Sequence, residues 1–223
     1  MPQANEVTRA NLKTPRAAAV AGVIFSALLI TAFWLFRKAI PADPLESGAW
    51  LSTDTRSVAF ALNLIPFAGI AFLWFIGVLR DRLGPTEDRF FATVFFGSAL
   101  LFLAMLFTGA AITASLLLVS AADPNALTNS TTFQLARAIV YNIMNVYAIK
   151  MAAVFMISTS TVALYTALAP RWIAYLGYLL ALVLLIGSYY VSWSFFVLPA
   201  WVLLVSIHIL IDNFDRLSWS RTC

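Results

Sequence analysis

Charge is what this chain has least of. Charged residues fill 11% of its 223 positions, against about 25% in soluble globular proteins. Hydrophobic residues fill 62%, well above the ~45–50% such proteins carry. A fold of this size cannot hide that much apolar surface from water, so lipid is read as part of its solvent. The excess of 14 Lys and Arg over 10 Asp and Glu gives +4, and no basic run with interleaved aromatics accompanies it. Nucleic-acid binding is therefore not expected.

Cysteine and histidine are nearly absent too. The only cysteine is Cys223 and the only histidine is His208. An intrachain disulfide framework and a multi-cysteine metal site are both excluded. A bis-histidine haem, a two-histidine zinc site and a Ser–His–Asp triad all need more than this inventory provides. No HExxH, GxSxG, GxGxxG or P-loop pattern occurs. We therefore expect no catalytic residue, no metal and no cofactor, and read His208 as a packing or interfacial side chain.

What is present is long apolar runs. A membrane-crossing helix takes about 20 predominantly apolar residues, and six segments qualify: 17–36, 58–79, 90–119, 138–169, 172–190 and 195–211. Arg9, Lys13 and Arg16 before the first run resemble a secretory leader. That run is closed by Arg37–Lys38 rather than by a small-residue cleavage site, so it is read as a span. Placing the N-terminus inside puts nine Lys and Arg on the cytoplasmic side and four outside. This asymmetry orients both termini to the cytoplasm. The expectation is an all-α, six-helix bundle over 17–213, with a basic cytoplasmic tail at 1–16 and a second tail at 214–223. Trp34 and Trp193 would then mark the outer interface, Trp74 and Trp172 the inner one.

The third and fourth segments are overlong. Segment 90–119 would reach about 45 Å at ~1.5 Å per residue, against a hydrocarbon core of ~30 Å. Either both helices protrude outside as a hairpin bridged by "AADPNALTNSTT", or they tilt or kink near Gly109. A protruding hairpin would offer a docking surface to a membrane-protein partner or a second copy. Small residues recur at spacing four: Ala18, Gly22 and Ser26; Gly109 and Thr113; Gly177 and Ala181. Such stripes let helices approach closely in lipid, and packing within the bundle is the expected use.

No Asp or Glu lies in any of the six segments, which removes the side chains that ion-coupled transporters usually bury. Lys150 is the one charged residue placed inside a segment, either an interior cation or a side chain reaching for the interface. Asn63 precedes Pro66, and a proline that frees a carbonyl beside an amide could open a polar pocket. At 100° per residue Gln134, Arg137, Tyr141 and Asn145 share a stripe, with Asn142 beside it and Lys150 nearly opposite. That face either lines a wet vestibule or bonds a neighbouring helix.

Six charged residues crowd the ten positions from Arg80 to Arg89. Gly77-x-x-x-Asp81-Arg82-x-Gly84 resembles the loop between helices two and three of the major facilitator superfamily. The match covers eight positions, and Pro85 stands where that family usually has a basic residue. The resemblance implies a gating role for Asp81 and Arg82. The residues themselves also read as a Gly–Pro turn, a Thr86 cap with acidic first-turn partners, and an inside charge anchor. The stretch "EDRFFATVFFGSALLFLAMLF" is similar to stretches of bacterial multi-pass inner-membrane proteins without an assigned activity.

Two functional expectations follow. One is facilitative movement of a small solute or ion across a bacterial inner membrane, along a path lined by Asn63, Pro66, Asn142, Asn145 and Lys150. The other is a non-catalytic accessory or assembly subunit docking through the outer hairpin. An enzyme ranks third, since no catalytic constellation is visible.

Overall fold

A computed structural model describes residues 15–46, 48–81, 89–122, 127–128, 130–166, 169–187 and 193–219. Among them no strand occurs and 92% are helical. The chain runs α1 (Pro15–Ala39), a one-turn α2 (Trp50–Thr53), α3 (Thr55–Asp81), α4 (Arg89–Ala122), α5 (Thr131–Asn142), a π-helical stretch (Ile143–Ala148), α6 (Ile149–Thr166), α7 (Arg171–Gly187) and α8 (Ser194–Trp219). The termini of α3 name the two ends of the bundle below, the Thr55 end and the Asp81 end.

Five helices are long and apolar enough to cross a membrane: Ala17–Ala39, Thr55–Arg80, Ala92–Ala122, Thr131–Tyr165 and Ser194–Ile211. The fifth expected segment, 172–190, is met by α7, whose 17 described residues fall short of that length. Positions 188–190 of that segment lie outside the described residues. α8 runs on to Trp219, past the boundary expected at 213. The tail at 1–14 and positions 220–223 are outside the described residues.

α1 and α3 lie along each other, with α8 on the other side of α1, while α6 packs on α7 and α4 on α6. The core between them is phenylalanine. Phe72 sits at its hub, with ring centroids 4.5 Å from Phe25, 5.1 Å from Phe155 and 5.7 Å from Phe102. Phe95 continues the chain of rings, 5.2 Å from Phe155. Tilted and edge-on rings pair the positive edge of one with the negative face of another, which adds ~0.5–1.5 kcal/mol per pair to dispersion. In lipid that close fit must carry most of the cohesion, because acyl chains are as apolar as the side chains themselves.

Small residues make the fit possible. A methyl group on Gly22 would overlap Ser206 Oγ of α8 and stand 2.9 Å from Phe75 Cδ2. One on Gly177 would overlap Ser160 Oγ of α6 and stand 2.9 Å from the Trp201 ring. The expected small-residue stripes thus face inward, and Ala18, Ser26, Thr113 and Ala181 are all buried.

The overlong helices are real. α4 is 34 residues, about 51 Å at ~1.5 Å per residue, and helical backbone is unbroken from Thr131 to Thr166. Ser130 starts that run by accepting the Phe133 N–H at 3.1 Å while donating to Leu127 O at 2.8 Å, a side-chain N-cap. The excess length does not stand alone. The segment from Ile40 to Asp54 folds over it as a strap, and Trp50, Leu51, Leu127 and Phe133 form a small second core with Ala39, Val58 and Leu116.

Candidate functional site

At the Thr55 end the helices part around a cavity of about 370 Å³. Its walls come from the last turns of α1, the strap, the second half of α4, the α5–π junction and the start of α8. Towards the Asp81 end no lining residue lies beyond Ile65 and Leu106. The phenylalanine core closes it there. Most of the wall is apolar, with Phe33, Phe36, Trp50 and Phe195 prominent, and the cavity is partly open. This size and lining fall at the small end of ligand pockets, which span ~300–1,000 Å³.

The polar groups converge from two sides. Arg137 of α5 is buried, and its Nη2 donates to the carbonyls of Pro41 at 3.1 Å and Asp43 at 2.9 Å. The strap therefore holds the guanidinium in place, from 96 and 94 residues away in sequence, by its backbone rather than by a carboxylate. The guanidinium carbon also stands 5.6 Å from the Trp50 ring centroid, within the ~6 Å reach of a cation–π contact. Nε of Arg137 and Nε1 of Trp50 are both buried without a partner. Arg37 of α1 is the second lining cation, with its guanidinium 4.9 Å from the Trp193 ring. Among the described residues no Asp or Glu lines the cavity. The acidic charges that act on Arg137 are those of Glu46 and Asp43, both on exposed positions of the strap. The Asp43 carboxylate also accepts the Leu45 N–H at 2.8 Å.

The floor owes its shape to two local features. Gly109 lets Met144 seat against α4, since a methyl there would lie 3.0 Å from Met144 Sδ. Met144 itself belongs to the π-helical stretch, and such widened turns concentrate at functional sites. Both residues line the cavity.

Of the residues expected to form a path, the fold brings only Asn145 to this cavity. Its Nδ2 donates to Tyr141 O at 3.0 Å, one turn back. Asn142 is exposed and bonds Ala138 O at 3.0 Å. Asn63 is exposed and bonds Ala59 O at 2.8 Å, and Pro66 is exposed within a helix that continues through it. Lys150 is exposed on the second residue of α6. All of these amides thus bond their own helix, one turn back. Asp81 closes α3, but its side chain and the whole of Arg82 lie outside the described residues. Their neighbour Arg80 places its guanidinium 5.2 Å from the Phe96 ring, joining the end of α3 to the start of α4. Among the described residues no group of acidic, His and Cys side chains is arranged to hold a metal.

The stripe anticipated on the fourth segment does converge: Arg137, Tyr141 and Asn145 line the cavity together, while Gln134 is exposed. Trp50, Arg37 and the strap carbonyls were not anticipated. A signal for Trp50 existed in "SGAWLST", a tryptophan off the predicted spans, flanked by small and polar residues.

An all-helical chain with five apolar helices of membrane-crossing length suits a membrane protein. Its cavity has the build of a small-molecule pocket. No family model, curated protein or solved structure matches it.

Proposed function

We propose that the chain is a six-helix integral protein of a bacterial inner membrane, with both termini cytoplasmic, that takes up a small solute in this cavity for facilitated movement across the bilayer. The observation that carries the reading is the cavity itself: a partly open, mostly apolar chamber of about 370 Å³ with two arginines in its wall. The packed rings beneath it favour a carrier that must rearrange over a permanently open channel. The absence of Asp and Glu from the six spans favours facilitated over ion-coupled movement.

Proteoliposome flux of small anionic, neutral and cationic solutes tests this. Ala110 lines the chamber, so Ala110→Phe should abolish any protein-dependent flux, whereas Asn63→Leu, on an exposed face, should leave it intact. Absence of flux for every solute would remove the transport reading.

A second reading is favoured by one feature. Leu118 and Leu135, near the hairpin tip, are 75% and 62% exposed. If the hairpin stands clear of lipid, that apolar surface suits an accessory subunit's docking face. A stoichiometric membrane partner that co-purifies in mild detergent, and is lost when residues 110–135 are altered, would support it.

A further inference from the structure

We infer that the chamber's ligand is an amphipathic anion, a carboxylate head on a single apolar tail, with the head received at the Arg137 guanidinium. The inference rests on reading the cavity as a solute chamber and names the class of solute.

The head site is defined by what is missing from it. Arg137 and Trp50 are 8% and 4% exposed and both line the cavity, and among the described residues the hydrogen bonds of Arg137 go to backbone carbonyls and to no carboxylate. A guanidinium is a donor only, so a polar group that meets it must be an acceptor. A carboxylate offers two oxygens and no hydrogen, and meets a guanidinium with the short, strong bonds of a charged pair. A neutral hydroxyl can also accept from a guanidinium, but without the charge that makes that bond short and strong. Charge points the same way. Among the described residues the lining holds no carboxylate, and the acidic groups acting on Arg137 sit on exposed strap positions where water screens them. The strap fixes Arg137 through Nη2 alone, so the second terminal nitrogen, Nη1, is not tied to it. For the tail, Phe33, Phe36, Ile40, Leu106 and Leu116 supply a continuous apolar wall. A volume of about 370 Å³ is small for a ligand pocket, which favours one chain over the two of a phospholipid.

The test uses the full chain in phosphatidylcholine nanodiscs, with heats from empty discs subtracted. Dodecanoate, dodecan-1-ol and dodecylamine share a tail and differ in head charge. Dodecanoate should bind at least about tenfold tighter than the alcohol, the worth of one charged hydrogen-bonded pair, and the amine weakest. Arg137→Gln should erase that preference, and Glu46→Gln should strengthen dodecanoate binding slightly. If Arg137→Gln does not fold, Ala110→Phe must abolish dodecanoate binding from the α4 wall. Discs doped with phosphatidylglycerol separate the two sources of an anionic head. Loss of dodecanoate affinity there, in the wild type but not in Arg137→Gln, identifies a lipid headgroup as competitor for the same site. No loss leaves the free carboxylate as the ligand. Equal affinity for acid and alcohol overturns the anion class while the chamber stands. Binding of none of the three overturns the chamber reading with it.

Discussion

Towards the Asp81 end of the bundle, Phe25, Phe72, Phe95 and Phe155 fill the space between four helices, ring against ring. Towards the Thr55 end the same helices part and leave about 370 Å³ beside a buried arginine. Both halves draw on apolar helices of similar composition. They differ in what holds them. The packed half is held mainly by side chains fitted around Gly22 and Gly177, with one tie to backbone where Trp201 Nε1 donates to Ile173 O at 3.4 Å. The open half is held by a strap whose backbone carbonyls bind Arg137. Interiors of dispersion-packed rings tolerate no gap without losing contact energy. A hydrogen-bonded strap can span one. The open half thus gives up packing around a buried arginine, a trade expected of a binding site rather than of a scaffold.

The contrast can be broken by substitution. Phe72→Ala should have the largest effect, because Phe72 contacts rings on three other helices. A large-to-small change at such a site costs about 3–5 kcal/mol, read as a marked fall in melting temperature in nanodiscs. Adding volume should then separate the halves. Ala153→Phe enters the packed core, where Ala153 is fully buried, and overpacking costs about 1–3 kcal/mol. Ala110→Phe enters open space and should cost under ~1 kcal/mol while removing ligand binding. Arg137→Gln should destabilise by about 1–3 kcal/mol, since its two strap carbonyls lose their partner. The sharper signature is faster hydrogen exchange between Gly48 and Asp54, with none across α7. Lys150→Leu and Asn63→Leu should have the smallest effects, within ~0.5 kcal/mol and without change in ligand affinity. A loss of binding in either would return those residues to the pathway.

The packed half was readable in advance and the open half only in part. Apolar runs of membrane length locate α1, α3, α4, α6 and α8, and spacing-four glycines anticipate inward packing at Gly22 and Gly177. The helical arithmetic that grouped Arg137 and Tyr141 held because α5 is regular up to Asn142, and Asn145, in the π-helical stretch, still lines the cavity with them. Beyond that residue it had nothing to say of the wider π turn, which depends on a hydrogen-bond register and not on composition. The strap escaped for a related reason. It acts through the carbonyls of Pro41 and Asp43, and a backbone acceptor leaves no mark on residue type. Asn63, Asn142 and Asn145 were read by their polarity as a path. Each donates its amide N–H to the carbonyl four residues back, a local option open to any helical asparagine, and of the three Asn145 lines the cavity.

The central claim is that polar access stops at the phenylalanine floor. Single cysteines introduced in a Cys223→Ser background, at Ala110 in the chamber wall and at Ala153 in the packed core, test it with a membrane-impermeant maleimide applied to each face of sealed vesicles. The account predicts that Ala110→Cys labels from one face only and is protected by dodecanoate, while Ala153→Cys labels from neither. Rapid labelling of Ala153→Cys, or of Ala110→Cys from both faces, would reveal a continuous aqueous path and contradict it.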